Sequence, residues 1–234
     1  MKVSIIIPCY NEGKNIPLIL NKFSQAITSE SIEVILVNNG STDESELILK
    51  ELLPRYPFAK ETFVPVNQGY GYGILQGLKA ADGDFLGWTH ADMQTDPEDV
   101  IRAYHLLENN EWQKNIYIKG NRKGRGISEQ FFTLGMGIFE TIYLKQRLFD
   151  VNAQPNLFSR EFFESWENPP YDFALDLYAL YMARKKNLNI IRFAVLFPPR
   201  IYGESHWNTG LKAKGKFIKR TIIFSKKLKK VGIR

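Results

Sequence analysis

The stretch that organises this chain reads Gly83-Asp84-Phe85-Leu86-Gly87-Trp88-Thr89-His90-Ala91-Asp92-Met93-Gln94-Thr95-Asp96-Pro97. An apolar strand runs here directly into carboxylate, imidazole and amide side chains. The period-two spacing of His90, Asp92 and Gln94 places all three on one side if the segment stays extended. Carboxylate and amide oxygens suit Mg²⁺ or Mn²⁺, and an imidazole nitrogen shifts the preference towards Mn²⁺. The stretch therefore predicts a divalent metal site, with a plain turn at the strand end as the alternative.

Strands and helices alternate on both sides of this stretch. The predicted strands cover residues 3–7, 33–37, 61–66, 84–89 and 115–119, and the predicted helices cover residues 16–27, 45–53, 73–81 and 97–109. This alternation predicts an α/β fold with a mainly parallel central sheet flanked by helices. Past Gly120 the pattern loosens, and residues 158–186 read as helical segments interrupted by Asn168-Pro169-Pro170.

The composition predicts one globular domain. A chain of 234 residues with 44% hydrophobic content can bury one sizeable core. The only cysteine is Cys9, so neither a disulfide framework nor a thiolate metal cage is expected, which fits a reducing, cytoplasmic location. No apolar run approaches the ~20 residues of a membrane helix, so no membrane span is expected. We predict a domain over residues 1–211 and a tail over residues 212–234.

The tail carries the basic character of the chain. Ten lysines and arginines and no acids occur over residues 212–234, so the remaining residues carry 21 basic and 25 acidic side chains. Apolar residues recur between the lysines at helical spacing, which predicts an amphipathic basic helix. Such helices favour anionic membrane surfaces and would place the protein at the inner face of the cell membrane. The alternatives are a helix that packs its apolar stripe on the domain, or a polyanionic partner; nucleic acid is not expected.

The polar clusters of the N-terminal half all follow predicted strands. They are Pro8-Cys9-Tyr10-Asn11-Glu12, Asn38-Asn39-Gly40-Ser41-Thr42-Asp43 and the segment over residues 90–97. In open parallel sheets, ligands bind beyond the carboxyl ends of the strands. The sequence therefore predicts that these clusters meet at one edge of the sheet and form a ligand site.

Four motifs, in order and spacing, resemble those of family 2 glycosyltransferases with the GT-A fold, the fold of nucleotide-diphospho-sugar transferases. They read Ile5-Ile6-Ile7-Pro8-Cys9-Tyr10-Asn11-Glu12, Val37-Asn38-Asn39-Gly40-Ser41-Thr42-Asp43, Asn67-Gln68-Gly69-Tyr70-Gly71 and Ala91-Asp92-Met93-Gln94-Thr95-Asp96-Pro97. A late Arg-x-x-Gly-x-Ser element at residues 200–205 is similar to that of dolichyl and polyprenyl phosphate sugar transferases. The resemblance covers roughly residues 3–206.

The resemblance implies an inverting, metal-dependent glycosyltransferase that acts by direct displacement. The donor would be a nucleotide-diphosphate sugar, and the acceptor a saccharide or a lipid-linked saccharide in surface polysaccharide or glycoconjugate assembly. A polyprenyl phosphate sugar transferase is the alternative activity. An inactive, nucleotide-binding subunit is the alternative of another class.

The family's donor-site positions map onto several residues of this chain. Pro8, Tyr10 and Glu12 would cradle the nucleoside, and Asn39 would read the base. A carboxylate there can accept two hydrogen bonds from guanine, whereas an Asn amide offers one acceptor and a donor and can match uracil or cytosine at least as well. Of these, a UDP-sugar is the preferred donor. Where the family has Asp-x-Asp, this chain has His90-Ala91-Asp92. Mn²⁺ or Mg²⁺ would be held there by Asp92 and Gln94, with His90 as a further candidate ligand.

Positive side chains would bind the diphosphate, and a carboxylate would serve as base. Arg200 and Arg122 are the phosphate candidates, and His206 stands where the family often has Lys. Asp176 resembles the acidic residue of the family's acceptor region, and Asp172 lies four residues earlier, on the same face of a predicted helix. The alternative for both acids is favourable charge near a helix start. A lipid phosphate acceptor is already ionised and needs no base.

Overall fold

The computed structural model describes residues 1–124, 126–198, 202 and 211–231. The strands are β1 (Val3–Cys9), β2 (Ile32–Asn39), β3 (Ala59–Val64), β4 (Phe85–Trp88), β5 (Ile116–Lys123), β6 (Asn156–Ser159) and β7 (Asn189–Leu196). The helices are α1 (Ile16–Ala26), α2 (Ser45–Leu52), α3 (Tyr70–Ala80), α4 (Pro97–Glu108), α5 (Ile127–Leu144), α6 (Arg160–Glu164), α7 (Leu175–Lys185) and α8 (Leu211–Val231).

The strands form one mixed sheet in the order β3-β2-β1-β4-β6-β5-β7. β6 runs antiparallel to both β4 and β5, and the other neighbours are parallel. β1 and β2 are almost entirely buried because helices cover both faces, which explains their continuous apolar sequences. The predicted α/β fold with a mainly parallel sheet is confirmed.

Side chains that alternate along the strands separate the core into two layers. On β2, Val34 and Leu36 pack with α1 and α4, whereas Ile35 and Val37 pack with α3 and α7. The helices α1, α3, α4 and α7 bury apolar residues in these two layers. Within the described residues, no helix is both long enough and apolar enough to cross a membrane.

The second half of the chain departs from the predicted elements. Residues 158–186 were expected to be helical segments interrupted by Asn168-Pro169-Pro170. α6 and α7 lie on either side of that interruption, as expected, but the segment begins inside β6. β6 is only four residues long and fully buried, so it shows no alternating pattern. The sequence pattern also missed α5 and β7. α5 carries apolar residues on more than one side, and β7 is a partly exposed strand at the sheet edge.

Gly87 allows β6 to lie against β4. A Cβ atom at Gly87 would lie 2.0 Å from the carbonyl oxygen of Asn156. We expect Gly87→Ala to lower the free energy of unfolding by about 3 kcal/mol, because backbone must shift to relieve the overlap. The matched control is Gly135→Ala in α5, where an added Cβ meets nothing within 4 Å. The control should gain up to about 1 kcal/mol from helix propensity. Urea unfolding measures both, and equal stability of the two variants would contradict the packing argument.

Candidate active site

The carboxyl ends of β1, β2 and β4 meet because these strands are neighbours in the sheet. The loops after β1 and β2 are joined by hydrogen bonds. The Asn11 side-chain oxygen accepts from the Thr42 backbone at 2.8 Å, and the Glu12 backbone donates to Ser45 Oγ at 3.1 Å. The Gly13 backbone donates to Asp43 Oδ2 at 3.2 Å. Two of the sequence-predicted polar clusters thus form one connected edge.

The predicted nucleoside cradle lies on this edge. Tyr10 is 42% exposed, and Pro8 is partly buried at the end of β1. Glu12 is held in place by Asn15, whose Nδ2 donates to Glu12 Oε2 at 2.6 Å. An exposed aromatic ring beside backbone groups of a strand end can receive a planar base.

Asn39 lies beneath α3 at the same edge. Its Nδ2 donates to the Gly69 carbonyl at 3.1 Å, and its Oδ1 is buried without a hydrogen-bond partner. Asn38, on the opposite face of β2, donates to Glu61 and accepts from the Ser41 backbone. A base reader at Asn39 would therefore act through its carbonyl oxygen, because its amide nitrogen is already engaged.

The glycines at the start of α3 allow close packing. Gly69 has a φ of +116°, and a Cβ there would lie 2.4 Å from the Tyr171 carbonyl oxygen. At Gly71 a Cβ would lie 2.6 Å from the carbonyl oxygens of both Pro170 and Asp172. These glycines bring the loop that precedes α7 against the start of α3, next to Asn39.

The expectation of an extended ligand strand is wrong. β4 ends at Trp88, and Met93 has a φ of +58°, so the segment turns. Asp92 Oδ1 accepts from the Gln94 backbone at 3.1 Å within this turn. Gln94 Nε2 donates to the Pro198 carbonyl at 3.0 Å, which directs this side chain towards the end of β7. His90, Asp92 and Gln94 therefore do not share one side of a strand.

The donor set fits a cation that is shared with a bound diphosphate. Among the described residues, no three His, Cys, Asp or Glu side chains are arranged to hold a metal ion. The turn presents the carboxylate of Asp92, with the imidazole of His90 two residues earlier, and Ala91 between them is buried. Mg²⁺ sites commonly use one or two carboxylates and take their remaining ligands from phosphates and water. This arrangement therefore suits a metal that binds together with its nucleotide.

A buried chain of hydrogen bonds lies behind this edge. Lys119 Nζ donates to Asn156 Oδ1 at 2.7 Å and to the Ala153 carbonyl at 2.8 Å. Asn156 Nδ2 donates to Gln154 Oε1, and Gln154 Nε2 donates to Asp176 Oδ1 at 2.8 Å. An ammonium can only donate and a carboxylate only accept, so these two ends fix the orientation of both amides.

The network reaches the site through aromatic residues. Trp88 Nε1 donates to Asp176 Oδ1 at 3.3 Å, and Gln154 Nε2 donates to the Tyr70 hydroxyl at 3.4 Å. The Tyr70 ring stacks on Phe173 with centroids 4.8 Å apart and lies 6.2 Å from the His90 ring. These contacts connect the buried hydrogen-bond network to the turn that follows β4.

Burial shifts the pKa values of the two residues at the ends of the network, Asp176 and Lys119. Burial raises the pKa of the Asp176 carboxyl, and the positive charges of Lys119 and His90 oppose that increase. Burial lowers the pKa of the Lys119 ammonium from 10.5 to about 7, and Asp176 opposes that decrease. Each of the two residues therefore favours the charged form of the other.

The predicted catalytic acids occupy different positions from those expected. Asp176 is 2% exposed, and its Oδ1 accepts from two interior donors, so it does not face solvent. Asp172 is exposed and precedes α7, which begins at Leu175, and it accepts from the Ala174 backbone at 2.9 Å. The prediction that both acids share a helix face is wrong, because the helix starts after Asp172.

Arg122 is paired inside the protein. Its Nε and Nη2 donate to Asp150 Oδ1 at 2.9 and 2.5 Å, and its backbone donates to Asp150 Oδ2 at 2.8 Å. A role for Arg122 as a free phosphate ligand is not supported, because its guanidinium is committed to a buried carboxylate. The other phosphate candidate, Arg200, lies outside the described residues, as does His206.

A cleft of about 360 Å³ opens beside this ion pair, between the end of β5 and the start of α5. Polar and charged groups such as Lys123, Gln130 and Asp150 line it together with the exposed apolar side chains of Phe131, Leu134 and Phe149. The lining of the cleft is therefore partly charged and partly apolar.

Sequence reasoning missed the interior network. Lys119 follows the apolar residues Ile116-Tyr117-Ile118, and a lysine inside such a strand is the signal that could have been read. Gln154 and Asn156 carry no such signal, because their neighbours in space come from β5 and α7.

Comparison with known proteins identifies the family. Residues 4–175 match the family described as glycosyl transferase family 2. The chain is 32% identical over 111 residues to undecaprenyl-phosphate 4-deoxy-4-formamido-L-arabinose transferases of Yersinia pestis (strain Pestoides F) and Yersinia pseudotuberculosis (serotype O:3). These matches cover 46% of this chain, and the chain spans only 34% of the length of those relatives.

Solved structures confirm the fold. Glucosyl-3-phosphoglycerate synthase from Mycobacterium tuberculosis, in complex with Mn²⁺, UDP and glucosyl-3-phosphoglycerate, superposes with a TM-score of 0.70 at 18% identity, over 94% of this chain and 77% of that one. A mannosyltransferase from Pyrobaculum calidifontis, in complex with GDP-mannose and Mn²⁺, gives a TM-score of 0.67 at 16% identity, over 96% and 62%. The predicted GT-A fold is confirmed, and the chain belongs to glycosyl transferase family 2.

Proposed function

We propose that this protein transfers a sugar, with inversion, from a nucleotide-diphosphate sugar to a lipid-linked acceptor. One observation carries the proposal: the family's donor motifs after β1, β2 and β4 converge on one edge of the sheet. A nucleotide and the reacting sugar can bind together only where such groups converge.

The donor site is assigned from this edge. Tyr10 offers an exposed ring for the base, and Asn39 offers a buried carbonyl oxygen that has no partner. Such an acceptor can receive the ring N–H of uracil, as it can that of guanine, so the UDP-sugar preference stays a prediction for the nucleotide series below to test. Pro8 and Glu12 shape the strand end next to it.

Asp92 and His90 would hold a divalent metal, Mn²⁺ or Mg²⁺. When bound, such an ion neutralises the charge that develops on the leaving diphosphate. The turn over residues 91–95 positions the Asp92 carboxylate by bonding one of its oxygens to the Gln94 backbone. Gln94 would help by fixing this turn to Pro198 rather than by ligating.

The acceptor proposed here is a polyprenyl phosphate, the alternative activity weighed above, rather than a saccharide. A phosphate acceptor arrives ionised and needs no general base. This agrees with the position of Asp176, which is buried and engaged by Trp88 and Gln154. The undecaprenyl-phosphate named for the Yersinia relatives supports the same class of acceptor.

Thermal unfolding with nucleotides tests the donor site. We expect UDP with Mn²⁺ to raise the melting temperature by about 5 °C or more at a hundredfold excess over Kd, because ligand binding to the folded state adds about 2.7 kcal/mol. GDP, CDP and UDP without metal are the controls, and we expect smaller shifts for each. If no nucleotide shifted the melting temperature, the result would contradict the proposed enzyme activity. It would indicate that the protein does not bind a nucleotide at this site.

A further inference from the structure

The exposed side of α5 carries an apolar stripe. Phe131, Leu134, Ile138 and Ile142 are 69%, 44%, 52% and 73% exposed. Their spacing of three, four and four residues places them on one face of a helix, over a length of roughly 16 Å. The chain leaves this stripe uncovered among its described residues, which is costly for an apolar surface in water.

α8 is a basic helix that packs against α5. Its core-facing side buries Thr221, Ser225 and Leu228, and Phe224 packs against the core. Phe224 and Leu228 of the apolar side predicted to enter a membrane are therefore docked on the domain. Among the described side chains of α8, those exposed to solvent include Ile223 and the cations Lys219, Arg220, Lys226, Lys227, Lys229 and Lys230.

The two helices are in contact. Lys229 Nζ lies over the ring of Tyr143, 4.4 Å from its centroid, and Tyr143 follows Ile142 in α5. Lys229 therefore places a positive charge against α5, the helix that carries the apolar stripe. No acid occurs in α8, and Glu140 of α5 is buried, so among the side chains that the structure describes on these two helices no carboxylate is exposed.

We infer that these two surfaces form one docking face for an anionic membrane. The α5 stripe enters the acyl boundary of the bilayer, and the α8 cations contact the lipid headgroups. Apolar insertion next to a cationic surface is the chemistry that anionic lipid interfaces recognise. This inference assigns the apolar contact to α5 rather than to the basic tail itself.

The docking face is adjacent to the cleft described above. Phe131 and Leu134 belong both to the stripe and to the rim of that cleft. A bilayer on this face would lie against that cleft, which under the proposed function would be the entrance for a lipid-borne acceptor. This consequence rests on the proposed function, whereas docking itself does not.

Sedimentation with vesicles tests the apolar part. We expect the full chain to bind vesicles of phosphatidylcholine with phosphatidylglycerol, and Ile142→Ser to weaken this binding about tenfold through loss of an inserted side chain. The matched control is Leu47→Ser, because Leu47 is 70% exposed on α2, on the other side of the sheet. Equal binding of both variants would overturn the role of α5.

The electrostatic part has its own pair of variants. Lys226→Ala with Lys227→Ala should weaken binding about tenfold or more at low salt, since each cation near an anionic surface contributes about fivefold. Lys50→Ala with Arg55→Ala, on the opposite side of the protein, is the control and should bind like the wild type. The wild type should also bind more weakly at high salt, and it should bind more weakly to vesicles of phosphatidylcholine alone.

A second copy of the chain is the competing occupant of the stripe. Light scattering of the full chain without vesicles distinguishes a second copy from a membrane as the occupant. A dimer formed through α5 would dissociate in the Ile142→Ser variant. Such a dimer, with no binding to anionic vesicles, would overturn the inference. Vesicle binding without nucleotide binding would instead contradict the proposed function and leave the docking face intact.

Discussion

Asp92→Ala is expected to abolish Mn²⁺-dependent UDP binding and to lower turnover by about a hundredfold or more. The carboxylate is the one acidic group in the turn over residues 91–95, and without it the leaving diphosphate loses the ion that neutralises its charge. A loss of about 3 kcal/mol in transition-state stabilisation corresponds to a hundredfold slower reaction.

Asp92→Asn separates the electrostatic role from the structural one. The asparagine keeps an oxygen that can accept from the Gln94 backbone, so the turn is preserved, while the negative charge is removed. Calorimetry of UDP binding with and without Mn²⁺ measures the effect. Metal-dependent binding that survives in the asparagine variant would show that Asp92 only shapes the turn.

Lys119→Met is expected to change how stability depends on pH. In the folded protein the pKa of Lys119 is lowered to about 7 from its ordinary 10.5, so between these values the unfolded chain binds more protons. The stability of the wild type therefore rises with pH in this window, by up to about 1.4 kcal/mol per pH unit. The methionine at position 119 does not titrate, so the difference in stability between the variant and the wild type should grow from pH 7 to pH 10.

Urea unfolding of both proteins across this range measures the difference, in which the titration of all other lysines cancels. A parallel pH dependence of the two proteins would contradict the lowered pKa of Lys119 in the folded protein. Asp176→Asn completes a double-mutant cycle. If Lys119 acts on Asp176 through Asn156 and Gln154, the effect of Lys119→Met should shrink in the asparagine background.

The sequence predicted the N-terminal half well because its signals are local. Continuous apolar runs gave β1 and β2, and Pro17 near the start of α1 marked a helix boundary. The polar clusters followed these strands, and parallel pairing brought them together as expected. Motif spacing was sufficient to recognise the family.

Other features depend on contacts that no local pattern encodes. His90, Asp92 and Gln94 looked like one ligand strand, but Met93 takes a positive φ and the turn separates them. Asp172 and Asp176 have helical spacing, yet the helix begins between them. The partner of Arg122, Asp150, comes from the segment that follows α5, so its pairing could not be read from neighbouring residues.

The late positions of the antiparallel strand β6 and of helix α7 in the sequence also set the order in which this protein can fold during its synthesis on a ribosome. Trp88 and its hydrogen-bond partner Asp176 are separated by 88 positions in the chain. At about 5–20 residues per second, the indole of Trp88 waits roughly 4–18 s before that carboxylate has been synthesised. Until Ser159 has been synthesised, β4 can pair with β1 but not with β6, so for most of this interval the emerging chain exposes an unpaired strand edge that chaperones would have to protect.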